Sequence, residues 1–258
     1  MKRQNNSIIV ILAFLLAVFG AKYILRFLGE TLSYDIAEYA WIIRYVWWVI
    51  PPILLVGSRY GFSKLADELR LSSCVTTGIR LAFIFTLPML VGSALTGDIH
   101  SDLTFIGVLK TTLIAAFMEE FIFRSFLFGQ LFTRFEWGFI PAVLLNAVVF
   151  AWGHLSQGES IGEMIGVFVV TLLGAAWFAW IYIEWDRNLW LIVFLHCLMN
   201  LSWTVFDVSE NALGGWLPNI FRILTIAITV VVTIQRRKKL GSFAINFKNL
   251  WINKKTTL

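Results

Sequence analysis

Eight long apolar segments, separated by short polar loops, constrain the fold of this chain more than any other feature. They cover residues 8–28, 39–56, 81–95, 103–132, 137–154, 161–182, 189–206 and 216–234. Most have roughly the 20 residues that a helix needs to cross a bilayer, and lipid offers the backbone no outside hydrogen-bond partners, so such spans are helical. The composition agrees, because 59% of the residues are hydrophobic and 14% are charged. The sequence therefore predicts an all-α, polytopic membrane helix bundle with about eight transmembrane helices.

The chain is predicted to have three parts. Residues 1–102 hold N-terminal transmembrane helices and, at Ser58–Arg80, a segment whose alternating charged and apolar residues suit an amphipathic helix on the membrane surface. Residues 103–208 contain four spans and the polar motifs that are discussed below. Residues 209–258 form the last transmembrane helix and a basic cytoplasmic tail.

Basic residues mark one side of the predicted bundle. Both ends of the chain are basic, and so are the loops after the second, fourth and sixth spans. The loop residues are Arg59, Lys64, Arg70, Arg134 and Arg187. Because basic loops stay in the cytoplasm, we expect a multi-pass protein of the cell membrane, surrounded by lipids, with both termini cytoplasmic. The basic residues flank apolar spans and are not interleaved with aromatic residues in a soluble module, which argues against nucleic-acid binding.

Three ionisable residues lie inside the fourth apolar segment: Glu119, Glu120 and Arg124. Charged groups at membrane depth are costly, so they indicate a functional site unless they serve structure alone. On an α-helix Glu120 and Arg124 share one face, whereas Glu119 is turned away by about 100°. Glu120 is therefore predicted to pair with Arg124 and to leave Glu119 free for another role. A buried ion pair that only joins two helices is the alternative interpretation.

Two further spans carry polar residues at helical spacing. His154 ends the fifth span, four residues after Phe150, and His196 and Asn200 share one face of the seventh. A carboxylate with a neutral imidazole can take a proton from water, and a second imidazole with an amide can stabilise an oxyanion. This set of side chains is sufficient for the hydrolysis of a peptide bond.

A zinc site is the alternative arrangement of the same residues. Glu119, His154 and His196 would bind the ion and leave an open fourth position, and Glu120 would act as the base. The chain has no H-E-x-x-H pair on one helix, which removes the usual sequence support for such a site. The two cysteines, Cys74 and Cys197, have no spacing typical of a disulfide framework or a metal site.

The three motifs occur in order on successive apolar segments. They are E-E-x-x-x-R at residues 119–124, F-x-x-x-H at 150–154 and H-x-x-x-N at 196–200. Together they resemble the CAAX prenyl protease and bacteriocin-processing family, often called CPBP or Abi, over about residues 103–206. The resemblance implies that residues 103–208 are a catalytic four-helix core of an intramembrane endopeptidase.

The resemblance also implies a role for each motif residue. Glu119 and His154 would activate water, and His196 and Asn200 would form the oxyanion site. Glu120, Arg124 and Phe150 would support the site. The resemblance favours a mechanism without a metal, with zinc as the alternative. The expected substrate is a peptide, or a lipidated or otherwise membrane-tethered protein.

Two other functions fit the same sequence. A non-catalytic membrane immunity or scaffold protein could use the polar cluster only to stabilise its bundle. A transporter with Glu119 as a proton carrier is less favoured, since no inverted repeat is visible. The predicted topology places His154 near the outer end of its span, so Glu119 must lie in the outer half of the fourth helix to reach it. The sequence leaves open the membrane face to which the site opens.

Overall fold

The computed structural model describes residues 2–32, 39–206, 208 and 211–253, and these residues form a helical bundle. Helix α1 is Lys2–Leu32 and packs against α2, Ala40–Tyr60. The short α3 is Leu65–Glu68, and α4 is Val75–Thr96. The later helices are α8, Phe139–Gly153; α9, Ile161–Glu184; α10, Leu189–Val205; and α11, Trp216–Lys239. Helix α4 packs against α10 and α11, and α8 packs against α9.

The fourth apolar segment is one helical run in which α-helix and π-helix alternate. The run consists of α5, Phe105–Leu109; π1, Lys110–Ile114; α6, Ala115–Glu119; π2, Glu120–Phe128; and α7, Gly129–Arg134. Every residue of π2 is buried, and π2 contacts α1, α2, α8, α9 and α10. It is therefore the central element of the bundle. Because π-helical turns are rare and occur often at functional sites, this run is the first place to look for chemistry.

The all-α class is confirmed, since the described residues contain only helices, turns and isolated bridges. Six of the described helices are long and apolar enough to cross a membrane. They are α1 (as Ser7–Thr31), α2, α4, α8 (extended to Gln157), α9 and α11. Helix α10 is apolar but has 17 residues, and the central run is divided between α and π segments. The number of eight spans therefore remains a prediction.

The segment Ser58–Arg80 is not a single helix, and the prediction of one continuous amphipathic helix is wrong. Helix α2 ends at Tyr60, and the next residue, Gly61, has a φ of 97° that stops the helix. A 3-10 turn, α3 and further turns follow before α4 begins. Leu69 is fully buried and its carbonyl accepts a hydrogen bond from the Ser125 hydroxyl. These contacts fold the segment into the end of the bundle, while its position relative to the membrane surface stays a prediction.

The C-terminal segment, residues 240–253, is folded onto the same end of the bundle. The first backbone N–H groups of α8 have no partner within the helix. Carbonyl groups of this segment supply partners to them and to the preceding glycine, with N to O distances of 2.8–3.1 Å. The pairs are Gly138 with Trp251, Phe139 with Asn249, and Ile140 with Leu250. The segment therefore caps α8.

Candidate active site

Glu120, Arg124 and His196 form a cluster in the centre of the bundle. Glu120 is fully buried, and its Oε1 accepts hydrogen bonds from Arg124 Nη1 at 3.1 Å and from His196 Nδ1 at 2.8 Å. The guanidinium of Arg124 lies over the ring of Phe150, 4.6 Å from its centroid. A second ring, that of Phe178, lies 5.5 Å from the same guanidinium. The ion pair between Glu120 and Arg124 that the spacing predicted is present, and it extends to a histidine on α10.

The contact with Glu120 fixes the orientation of the His196 ring. An ionised carboxylate only accepts hydrogen bonds, so Nδ1 of His196 carries a proton. The other ring nitrogen, Nε2, then lies 3.9 Å from Oε2 of Glu119. This distance is too long for a direct hydrogen bond and leaves a gap in which a water molecule can bridge the two groups.

Glu119 ends α6, immediately before π2, and 20% of its side-chain surface is exposed. It lines a cleft of about 260 Å³. The other walls come from α1, α2 and the C-terminal end of α8. Glu120, the adjacent carboxylate, is buried in the bundle interior. Two neighbouring glutamates therefore have different surroundings, and Glu119 is the one that a substrate can reach.

His154 also lines this cleft, directly after the end of α8. Its Nδ1 is 2.7 Å from the backbone oxygen of Phe150. A carbonyl only accepts hydrogen bonds, so Nδ1 carries the proton and Nε2 of the neutral ring keeps a lone pair. The ring also packs on the Phe150 side chain, with centroids 4.4 Å apart. Phe150 thus holds His154 with both its backbone and its ring.

Asn200 lies one helical turn beyond His196 on α10. Its Nδ2 donates a hydrogen bond to the backbone oxygen of Thr111 in π1 at 3.1 Å. One amide hydrogen remains for another acceptor. His196 and Asn200 do not line the cleft that Glu119 and His154 share. Glu119 therefore connects the two pairs of residues: it lines the cleft with His154, and its Oε2 lies 3.9 Å from Nε2 of His196.

A comparison with protein families finds a match over the part of the chain that contains these residues. Residues 101–202 match the model of a family described as type II CAAX prenyl endopeptidase Rce1-like. Because these residues are similar to that family, we refer to residues 101–202 as the Rce1-like segment. The match confirms the resemblance that the three motifs predicted. No curated protein and no solved structure matches the chain.

The Rce1-like segment contains all the motif residues, from Glu119 to Asn200. It spans π1, π2, α8, α9 and most of α10. The match supports, in general terms, a CAAX-type endopeptidase, and the apolar helices support a membrane protein. The cleft lies between the Rce1-like segment and the two N-terminal helices, α1 and α2, which the match does not cover.

Three cleft residues on α2 are absent from the motifs: Arg44, Tyr45 and Trp48. Arg44 has no hydrogen-bond or ion-pair partner among the described residues. Tyr45 interacts electrostatically with both Arg44 and Glu119. The buried indole N–H of Trp48 also has no partner within the described part of the chain. The sequence signal that could have identified these residues is Arg44, a single basic residue within the tryptophan-rich span 39–56.

A zinc ion would need several ligands gathered around one point. The described residues contain no group of three or more His, Cys, Asp or Glu side chains arranged in this way. Glu119 and His196 face each other, but His154 does not complete a three-ligand group with them. Among the described residues, Glu119, His154 and His196 are thus not gathered around one point, and zinc binding by them stays a prediction.

Proposed function

We propose that the chain is an intramembrane endopeptidase that hydrolyses a peptide bond with a water molecule activated by Glu119. The observation that carries this proposal is the position of Glu119. It is an accessible carboxylate in a cleft that it shares with His154, and it faces Nε2 of His196 at 3.9 Å. The match of the surrounding segment to CAAX prenyl endopeptidases supports the same reaction.

The reaction begins with a water molecule bound beside Glu119. Glu119 takes one proton from the water. The lone pair of His154 Nε2 accepts a hydrogen bond from the remaining O–H and so orients the oxygen. The oxygen attacks the carbonyl carbon of the scissile peptide bond and gives a tetrahedral intermediate. Glu119 then passes its proton to the leaving nitrogen and the C–N bond breaks. An amine and a carboxylic acid are released, and the acid ionises by losing the second water proton to the solvent.

The oxyanion of the intermediate needs hydrogen-bond donors in fixed positions. The Nδ1 proton of His196 is bound by Glu120. When the ring is protonated, Nε2 carries a second proton, which it can donate to the oxyanion. Asn200 has one amide hydrogen left after its bond to Thr111. Arg124 balances the charge of Glu120, so this carboxylate can hold the His196 ring without being the base of the reaction.

The volume of the cleft supports a proposal for the class of substrate. Its volume of about 260 Å³ is below the roughly 300–1,000 Å³ of pockets that enclose drug-sized ligands. It accepts only a short stretch of peptide on each side of the scissile bond. A prenyl group or another lipid anchor would stay outside, among the membrane lipids. We therefore propose a membrane-associated peptide or protein as substrate, of the prenylated kind that the family description names.

The orientation of π2 and α8 determines the end of the bundle at which the cleft opens. The ring of Phe123 lies 5.1 Å from that of Phe150, and Phe128 lies 5.8 Å from Phe139. The two helices are therefore antiparallel, and Glu119 lies at the level of His154. The basic residues lie at the other end of α8, about 22 Å away for a helix of 15 residues. If the basic end is cytoplasmic, both termini are cytoplasmic and the cleft opens to the opposite face.

Cleavage of a panel of fluorogenic peptides by the purified protein tests the proposal. We expect cleavage by the wild type, with and without a strong chelator, and none by Glu119→Ala. Loss of wild-type cleavage in the chelator would show that a metal takes part. A Glu119→Ala protein that cleaves as the wild type does would contradict the proposed role of Glu119.

A further inference from the structure

A second cavity, of about 410 Å³, lies at the end of the bundle opposite the catalytic cleft. Its walls are the turn between α9 and α10, the end of the central helical run, and the folded C-terminal segment. Two arginines, Arg70 and Arg187, line it from separate parts of the chain. Neither the proposed reaction nor the match to the Rce1-like family accounts for this cavity.

The guanidinium of Arg187 has no hydrogen-bond or ion-pair partner among the described residues. The backbone of this turn is unusual, since Asp186 and Arg187 have φ angles of 56° and 58°. Such angles are uncommon outside glycine and are found where a side chain must be held in a required position. Arg70 is held in place by backbone oxygens, with Nε 3.2 Å from Arg187 O and Nη2 3.0 Å from Asp186 O. Among the described residues, no carboxylate forms an ion pair with either arginine, although the charge of Glu68 acts on Arg187 from a distance.

The nearby carboxylates are engaged with other arginines. Asp186 pairs with Arg236 and Arg237, Glu184 with Arg237, and Glu68 with Arg134. Three carboxylates thus face three arginines in these pairs, and Arg70 and Arg187 add two positive charges that form no ion pair among the described residues. Asp186 also lines the cavity, but Arg236 and Arg237 neutralise its charge, so the wall is electropositive.

The surroundings of Arg187 disfavour its own charge. Burial lowers the pKa of Arg187, and the like charges of Arg70 and Arg134 lower it further, while Tyr182 and Glu68 act in the opposite direction. An anion beside the guanidinium would remove this penalty, because an opposite charge stabilises the ionised form. Charge-assisted hydrogen bonds from guanidinium groups to phosphate are among the strong ones in proteins.

We propose that this cavity binds a phosphate group through Arg70 and Arg187. The shared chemistry is an anionic phosphate, carried by a phospholipid headgroup or by a free phosphate compound. Its position suits a headgroup, since basic residues at the ends of spans lie at the level of the headgroups. Asn249 and Asn253 complete the wall from the C-terminal segment. A bound phosphate therefore also holds this segment, which caps α8, against the bundle.

Two probes distinguish the sources of the phosphate. In the first, native mass spectrometry of the purified protein compares the retention of phosphatidylglycerol with that of phosphatidylcholine. In the second, the thermal midpoint of lipid-free protein in detergent is measured with inorganic phosphate and with chloride at equal ionic strength. We expect a preference for phosphatidylglycerol if the source is lipid, and a higher midpoint in phosphate if it is free phosphate.

Arg187→Gln is the decisive variant, because the Arg187 side chain makes no hydrogen bond to any other described residue. This variant is expected to bind whichever probe the wild type binds, phosphatidylglycerol or inorganic phosphate, about tenfold more weakly. Arg80→Gln is the matched control: Arg80 is exposed at the same end of the bundle and does not line the cavity. The control is expected to bind as the wild type does.

Two results would overturn the proposal. The first is a wild-type protein that neither prefers phosphatidylglycerol to phosphatidylcholine nor has a higher thermal midpoint in phosphate. This result is independent of whether any variant folds. The second is an equal loss of binding in Arg187→Gln and Arg80→Gln, which would indicate attraction by overall charge alone. Neither measurement depends on proteolysis, so the phosphate site and the proposed function can fail separately.

Discussion

Nδ1 of His196 lies 2.8 Å from Oε1 of Glu120, which joins α10 to the first residue of π2. This bond directs the opposite ring nitrogen towards Glu119. In the proposed mechanism the second glutamate of the motif therefore has a positional role, and the first glutamate carries out the chemistry. The predictions below follow from this division.

Glu120→Gln is expected to lower kcat/KM about 10–100-fold, as is typical when a partner that orients a site histidine is lost. The amide binds the imidazole less strongly, so His196 no longer holds its Nε2 in place for the oxyanion. The effect should fall on kcat, since Glu120 does not line the cleft. Steady-state kinetics with one peptide substrate measures the two constants, and a change in KM alone would contradict this role.

Arg124→Met is expected to destabilise the protein by about 3–5 kcal/mol, because it leaves Glu120 buried without its counter-ion. The double variant Glu120→Gln/Arg124→Met removes both charges and should be more stable than Arg124→Met alone. Thermal unfolding in detergent compares the three proteins. A double variant less stable than Arg124→Met would show that the charges do not act as a pair.

Arg44→Gln is expected to raise KM about tenfold for a substrate with an anionic group next to the scissile bond, and to leave kcat unchanged. Arg44 lines the cleft and has no hydrogen-bond or ion-pair partner in the described part of the chain, and a guanidinium is well suited to bind a carboxylate. Removal of such uniform binding affects KM. The same peptide with an amidated C-terminus should not distinguish Arg44→Gln from wild type. Arg26→Gln, which changes an exposed arginine that pairs with Glu30, is the control.

Cys74 provides a test of the membrane orientation. It is exposed at the basic end of the bundle, where its carbonyl accepts a hydrogen bond from Asn188 at 3.0 Å. In a Cys197→Ser background, a membrane-impermeant maleimide should label Cys74 only from the cytoplasmic side. A cysteine placed at the mouth of the cleft, by Ser156→Cys in a protein that also carries Cys74→Ser, should be labelled only from the other side. Labelling of both positions from one side would contradict the proposed orientation.

The rate of this labelling should depend on pH in a defined way. Hydrogen bonds from Thr76 and Thr77 lower the pKa of the Cys74 thiol to about 7. The thiolate is the reactive form, so the rate should rise as the pH increases and reach half its maximum near pH 7. Thr77→Ala removes one of these bonds and should move the midpoint to higher pH. An unchanged midpoint in Thr77→Ala would show that this hydrogen bond does not tune the thiol.

The sequence was sufficient for those features that depend on local spacing or on the membrane. It predicted the helical class, and it predicted the pair between Glu120 and Arg124, which stand four residues apart. It could not predict the bond between Glu120 and His196, because this contact depends on how two distant helices pack. The π-helical turns were also missed, since the choice between i+4 and i+5 hydrogen bonds depends on tertiary packing. Ser58–Arg80 was misread because its alternating pattern suits a surface helix, whereas Leu69 is buried in the bundle.

The most direct test of the central claim compares wild type, Glu119→Gln and Glu159→Gln in lipid nanodiscs with a library of membrane-associated peptides. Glu159 is an exposed carboxylate at the same end of the bundle, so its replacement controls for a loss of charge. New peptide termini are identified by mass spectrometry in water labelled with heavy oxygen. The account predicts that wild type and Glu159→Gln release fragments with heavy oxygen in the new carboxylate, and that Glu119→Gln releases none. Equal release by Glu119→Gln would contradict it.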